Sequence, residues 1–303
     1  MDEFELLDKL KKSLLDVINP TDAQKLFGRR NAKSKKEKEY YLSDLKSNLY
    51  KLTIPEFKLG KDPDAVRSSA AMIYNTIYSG KLIIDNKQFE GFSKDGFSIY
   101  ELPFAAIKDD KDSTHTAQLD AGLISENGQD LILFEAKCME WMSSPKGLKK
   151  AYFNEDRYIC KESANIFIPI FDELVYKDKF KKDNGVYVHK PKVYLRYDAI
   201  QMMIHCLGIY NWCLLNSGKA KNGLKTIRLI NLVWDCKGRK EYEEEEQQGE
   251  KFAQYATSCL KEHFGKMNID FLVEYLRYSE FLKRVDWTND IEHRNYLKRY
   301  EVY

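Results

Sequence analysis

Hydrophobic positions repeat with a helical period in some stretches of the chain and with a strand period in others. Apolar spacings of three and four residues, which put side chains on one helix face, predict helices over 3–18, 40–49, 64–77, 196–216 and 241–264. Short apolar runs rich in β-formers predict strands over 96–107, 117–125, 130–138 and 226–235. The pair Asn127-Gly128 lies between the second and third of these strands, and Asn-Gly is the strongest short-range signal for a tight β-hairpin.

The order of these elements predicts an α/β fold. A helix, three strands with a tight hairpin, a helix and a further strand indicate a three-layer core, with a central mixed β-sheet flanked by helices. We expect residues 64–236 to form this core. Residues 1–63 are then a helical, basic N-terminal extension and residues 237–303 a helical or α/β C-terminal extension, all within a single domain.

Composition indicates a globular cytoplasmic protein. Of the 303 residues, 43% are hydrophobic and 32% charged, which excludes a disordered chain. No apolar stretch reaches the roughly 20 residues of a membrane-spanning helix, and the N-terminus is acidic where a signal peptide is basic. The six cysteines form no CxxC pair and are read as free thiols in a reducing cytosol. The net charge of +2 neither requires nor excludes nucleic acid.

Three charged residues fall together on the predicted hairpin. Asp120 lies in one arm, and Glu135 and Lys137 lie in the other. Side chains two residues apart point to the same face of a strand, and a turn at Asn127-Gly128 places positions 120 and 135 nearly opposite each other. Charges in apolar strands are costly unless they are paired or bound to a cation, so the three groups are expected to converge on a shared ion.

A divalent cation would relieve the repulsion between these carboxylates. Mg²⁺ prefers oxygen ligands and keeps several waters, and the backbone carbonyl of Ala136 is placed to add another oxygen. Such an ion lowers the pKa of bound water, and Lys137 would orient that water or neutralise a phosphate. The alternative is a cross-strand acid–lysine pair on a solvated sheet face.

Asp120, followed after fourteen residues by Glu135-Ala136-Lys137, resembles the signature of the PD-(D/E)xK nuclease superfamily, the restriction-endonuclease-like fold. The order of elements across the predicted core matches that family's core. Leu119 stands where the family name has Pro. The resemblance implies hydrolysis of nucleic-acid phosphodiesters, usually in DNA, with Mg²⁺ and with Mn²⁺ as a substitute. It implies that Asp120 and Glu135 are metal ligands and Lys137 is the catalytic lysine.

Further positions match the family less directly. Many members carry a Gln on the helix after the lysine strand, and Gln201 stands there with His205 four residues on, on the same helix face. The resemblance implies that Gln201 holds water or phosphate and that His205 supports it; the alternative is two satisfied polar groups in a buried helix. Ser68 and Ser69 open the helix before the strands and either bind a phosphate or cap the helix. Glu101 is a candidate third metal ligand.

These features predict a metal-dependent nuclease that acts on DNA. Its first expected setting is defence against foreign DNA, and the second is repair or recombination. Alternatives from other classes are a catalytically inactive nucleic-acid-binding protein with the same fold, and an interaction domain without metal. The basic segments 25–38, 146–150 and 177–182 are either phosphate contacts or solvated surfaces. Double-strand cutters of this fold often act as homodimers, but no feature marks an interface, so monomer and homodimer both stay open.

Overall fold

The computed structural model describes residues 3–18, 69–94, 99–108, 114–140, 143–183, 186–216, 223–236 and 238–301. The α-helices are α1 (Glu3–Ile18), α2 (Ser69–Ile77), α3 (Lys161–Leu174), α4 (Ala199–Asn216), α5 (Lys240–Gly265), α6 (Tyr278–Arg284) and α7 (Ile291–Leu297). The strands are β1 (Lys81–Ile84), β2 (Lys87–Gly91), β3 (Tyr100–Lys108), β4 (Thr114–Ser125), β5 (Asp130–Lys137), β6 (Leu148–Lys149), β7 (Val175–Asp183), β8 (Val186–Pro191), β9 (Thr226–Val233) and β10 (Asp270–Arg277). The predicted helix at 40–49 and the basic segment 25–38 lie outside these ranges.

A mixed sheet of seven strands organises the described part of the chain. Its order is β1-β2-β4-β5-β9-β10, with β3 also paired to β4. Pairing is antiparallel from β1 to β5 and parallel from β5 through β9 to β10. The long strand β4 pairs with β2 near its end and with β3 along its earlier part, which curls this side of the sheet. The predicted α/β fold with a mixed central sheet is confirmed.

The predicted β4–β5 hairpin is present. Gly128 has φ +70°, a left-handed conformation that glycine adopts without steric cost, and its N–H donates to Ser125 O at 2.7 Å. The side chain of Asn127 accepts from the Ser125 hydroxyl and from Gln129 N. The turn sets a register in which Ala121 faces Phe134.

Helices cover both faces of the sheet. In β5, Ile132 and Phe134 belong to an apolar cluster with α1, α2 and α6, whereas Leu131 and Leu133 belong to a second cluster with α3, α4 and α5. A strand buried on both faces reads as a continuous apolar run, as β5 does. Glu135 continues the alternation of Leu131 and Leu133 and therefore lies on the α4 side.

Several elements of the fold were not predicted. The hairpin β1–β2 extends the central sheet beside β4. Between β5 and α4 the chain inserts α3 and a second sheet of order β6-β8-β7. The C-terminal region, predicted to be helical or α/β, contains strand β10, which extends the central sheet beside β9. No helix within the described ranges is long and apolar enough to cross a membrane.

Candidate active site

Asp120 and Glu135 lie side by side at one end of the β4–β5 pair. The last registered pair is Ala121 with Phe134, so the next step along the ladder sets Asp120 opposite Glu135. The carboxylate Oδ2 of Asp120 accepts a hydrogen bond from Ala136 N at 2.5 Å. The side chain of Asp120 thus caps the ladder and stays beside the strand that carries Glu135 and Lys137.

The Glu135 carboxylate is the hub of a buried network. Its side chain is only 4% exposed. Its Oε1 accepts from Lys137 Nζ at 2.6 Å and from Gln201 Nε2 at 2.7 Å. Its Oε2 lies 3.1 Å from Nε2 of His205. Both hydrogen bonds therefore fall on Oε1, while Oε2 lies beside the imidazole of His205, whose ring nitrogens make no hydrogen bond within the described residues.

The beginning of α4 delivers Gln201 and His205 to this network. Asp198, just before the helix, accepts a hydrogen bond from Gln201 N through its side chain at 3.1 Å, an N-cap interaction that fixes the first turn. The Gln201 side chain bridges two charges, since its Oε1 also accepts from Lys137 Nζ at 3.1 Å. His205 follows one turn later on the same face.

Burial and charge together set the protonation of the three ionisable groups. Burial raises the pKa of Glu135, but the charges of Lys137 and His205 overcome it and lower that pKa to about 2. Burial also opposes the charge of Lys137, yet the carboxylates of Glu135, Glu140 and Asp120 raise its pKa above the usual value. The site therefore holds a fixed carboxylate and a fixed ammonium.

Asp120 is the ionisable group of the site whose charged form is least favoured. Burial, and then the negative charge of Glu135, raise its pKa well above the usual value, and Glu101 adds to the effect. Lys137 and the Ala136 N–H oppose this shift without cancelling it. A negative charge on Asp120 beside that of Glu135 is thus disfavoured unless a further cation binds.

An open cleft of about 560 Å³ borders the network. Asp120, Glu135, Gln201 and His205 all line it. Lys137 lies on the other side of Gln201, where it lines a smaller cavity of about 190 Å³. The carboxylates are therefore accessible to a ligand from one side and backed by the lysine from the other.

Glu101 also reaches the cleft. Its neighbours Tyr100 and Leu102 pair with Ala121 and Leu119, so Glu101 lies next to Asp120 on the adjoining strand. It has φ +52°, a conformation that is uncommon for a residue other than glycine. Three acids thus occupy neighbouring positions on β3, β4 and β5.

The other sequence-based candidates are placed differently. Ser69 is the first residue of α2, which packs on the opposite face of the sheet, and it does not line the cleft. Ser68 lies outside the described residues.

The backbone of Ala136 faces the strand that carries Asp120. Its N–H points towards β4. Because both backbone groups of a strand residue point to the same side, its carbonyl faces β4 as well.

Sequence reasoning missed Asn231. It stands opposite Glu135 on β9 and donates from Nδ2 to the Glu135 backbone carbonyl at 3.0 Å. The sequence does show an amide, Asn231, within the apolar strand Thr226–Val233. That it contacts Glu135 follows only from the parallel pairing of β5 with β9. Glu245, buried next to Tyr275, was likewise not singled out.

Comparison with protein-family models, with curated proteins and with solved structures gives no match for this chain. Among the residues described, no three or more His, Cys, Asp or Glu side chains are grouped so that they could hold a metal ion. The site must therefore be interpreted from its own geometry. That geometry places Asp120, Glu135, Lys137, Gln201 and His205 together, while their roles stay predictions.

Proposed function

We propose that this protein is a metal-dependent nuclease that hydrolyses phosphodiester bonds of nucleic acid, DNA in the first instance. The observation that carries the proposal is that Asp120, Glu135 and Gln201 line one open cleft, with Lys137 hydrogen-bonded to Glu135 and Gln201 behind them. An ion pair that served only the fold would need neither a second carboxylate nor an opening to solvent.

The donor set suits a hard divalent cation such as Mg²⁺ or Mn²⁺. Asp120 and Glu135 would supply carboxylate oxygens, and the Ala136 carbonyl, which faces the same strand, would supply a third. Mg²⁺ is commonly held by one or two carboxylates with waters in the remaining positions. Burial and then the negative charge of Glu135 raise the pKa of Asp120, and a bound cation would favour the charged form against both effects. Glu101 lines the same cleft, but with Asp120 and Glu135 it does not form a group that could hold a metal ion within the described residues.

A bound ion would supply a water of lowered pKa and stabilise charge on the phosphoryl group. Lys137 stays protonated, so it acts as a cation and hydrogen-bond donor and not as a general base. Its ammonium would neutralise the phosphate or orient the attacking water. Gln201 holds Lys137 and Glu135 at fixed positions and would present its amide to the water or to a phosphate oxygen.

A second candidate is a nucleic-acid-binding protein that keeps this arrangement without turnover. Both oxygens of Glu135 already have protein partners, and these would compete with a cation. This reading predicts binding without cleavage.

The test is incubation of the protein with linear duplex, circular and single-stranded DNA and with RNA, in Mg²⁺, in Mn²⁺ and in chelator. We expect cleavage with either metal and none with chelator. Glu135→Gln should abolish it, whereas Glu90→Gln, at an exposed glutamate of β2, should not. Cleavage that persists in chelator, or in Glu135→Gln, would refute the assignment; binding without any cleavage would favour the second candidate.

A further inference from the structure

The inserted sheet β6-β8-β7 forms a wall of the cleft beside the carboxylates. Lys149 of β6 and Val188 of β8 pair directly, and both line the cleft. Lys181 of β7 pairs with Val188 from the other side. Residues opposite each other in register share a face, so the three side chains form one row on the face that borders the cleft.

This wall is basic where the sheet behind it is acidic. Lys146 lines the cleft together with Lys149. Lys181 donates from Nζ to the backbone carbonyl of Pro145 at 2.5 Å, which fixes the turn just before Lys146. The lysines are thus held by a defined backbone next to Asp120 and Glu135. A ligand with several phosphate groups could therefore contact lysines on one side of the cleft and the proposed metal site on the other.

The wall is also partly apolar. Val186 is 51% exposed and lines the cleft with Val188 and Ile204. In a duplex, the bases are stacked inside and a protein wall meets mainly phosphates and groove edges. Single strands offer both a charged backbone and accessible bases, and their binding sites combine basic grooves with apolar or aromatic surfaces.

The side chain of Tyr152 brings a buried hydroxyl without a hydrogen-bond partner to the same cleft. Tyr152 lines the cleft and is only 1% exposed. Within the described part of the chain its hydroxyl makes no hydrogen bond. Buried polar groups are nearly always satisfied, so the Tyr152 hydroxyl is a candidate donor to a ligand bound in this cleft.

We propose that the face of the β6-β8-β7 sheet that carries Lys149 and Val188 binds single-stranded nucleic acid and guides it past the carboxylates. Lys146 and Lys149 contact backbone phosphates, the exposed Val186 contacts bases, and the Tyr152 hydroxyl donates to the strand. The proposal takes the cleft of the proposed nuclease as its site, but binding can be measured without metal and so without cleavage.

The experiment is fluorescence anisotropy with labelled oligonucleotides in EDTA. A single-stranded DNA is compared with the duplex of the same sequence over a range of salt concentrations. The cleft variant is Lys146→Ala/Lys149→Ala. The matched control is Lys261→Ala/Lys266→Ala, which changes two exposed lysines at the C-terminal end of α5. That end lies near the start of β10, whereas the cleft lies at the far end of the parallel strands.

We expect the single strand to bind more tightly than the duplex. In a plot of log affinity against log salt, the cleft variant should lower the slope by about 1.4, two phosphate contacts at about 0.7 each, and the control should leave it unchanged. Tyr152→Phe should weaken binding about three- to tenfold while raising Tm, because it removes an unsatisfied buried group.

Preferred binding of the duplex, or an unchanged slope in the cleft variant, would overturn this inference. The proposed function would survive that result if the protein still cleaved DNA with Mg²⁺. Conversely, tight single-strand binding that depends on these lysines, without cleavage in any metal, would support the proposed binding surface and refute the proposed nuclease activity.

Discussion

The carboxylate of Asp120 accepts a hydrogen bond from the backbone N–H of Ala136, the residue that separates Glu135 from Lys137. This contact ties the acid of one strand to the acid and the lysine of the next. It also holds the carboxylate in a buried position near Glu135, and burial together with that negative charge raises the Asp120 pKa, although the hydrogen bond itself opposes the shift.

Asp120→Asn should therefore separate metal binding from folding. The amide oxygen can still accept from Ala136, and loss of the charge removes repulsion from Glu135. We expect Tm without metal to stay the same or rise. The increase in Tm on adding Mg²⁺ or Mn²⁺, which follows from binding to the folded state only, should disappear.

Thermal unfolding with and without metal measures both effects. Asp270→Asn, at the exposed first residue of β10, is the control and should keep the metal-induced shift. A full shift in Asp120→Asn would show that this carboxylate is not a ligand.

Gln201→Ala should slow cleavage without unfolding the protein. Gln201 bridges Lys137 and Glu135, and loss of a residue that orients ligating groups commonly costs about 10- to 100-fold in activity. Single-turnover cleavage rates at saturating Mg²⁺ measure this loss. An unchanged rate would assign Gln201 a structural role alone.

His205 should act on stability through Glu135. His205→Leu removes the imidazole whose Nε2 lies 3.1 Å from Glu135 Oε2, and loss of the polar neighbour of a buried charged group costs about 1–3 kcal/mol. Urea denaturation should show a loss of this size. In the Glu135→Gln background the same substitution should cost less, since the two residues are coupled. Equal costs in both backgrounds would mean that the contact contributes nothing.

Glu245 should make stability depend on pH. Burial raises its pKa to about 7 in spite of the hydrogen bond from Tyr275, against 4.5 for the unperturbed group. Between these two values the folded protein keeps a proton that the unfolded chain has released. The free energy of unfolding should therefore fall as pH rises, by up to about 1.4 kcal/mol per pH unit.

Chemical denaturation of the parent protein and of Glu245→Gln, from pH 4 to 8, isolates this contribution. The amide mimics the protonated acid, so the variant should lack this part of the fall in stability. Parallel curves for the two proteins would show that Glu245 titrates normally in the fold.

The sequence predicted the elements whose patterns were strong and local. The Asn127-Gly128 turn fixed the β4–β5 register, and the helical stripes located α1, α4 and α5. With that register, the count of residues from the turn is enough to predict that Asp120 lies near Glu135.

The elements that were missed had weaker or conflicting signals. β7, Val175–Asp183, carries alternating lysines and aspartates, which suit a small exposed sheet but resemble a loop. α3 contains Pro169, a residue that normally indicates the end of a helix. The position of Asn231 beside Glu135 depends on a parallel pairing that no local pattern encodes.

The most direct test of the proposed chemistry is the Mg²⁺-dependent cleavage rate of Lys137→Ala, compared with the parent protein and with Lys87→Ala, an exposed lysine of β2. Circular dichroism and Tm ensure that equal amounts of folded protein are compared. We expect Lys137→Ala to lose about 10²- to 10³-fold in rate, the usual effect of removing one preorganised group that stabilises the transition state, and Lys87→Ala to match the parent. Cleavage by Lys137→Ala at the parental rate, or no Mg²⁺-dependent cleavage by the parent itself, would contradict the assignment of this site as a nuclease.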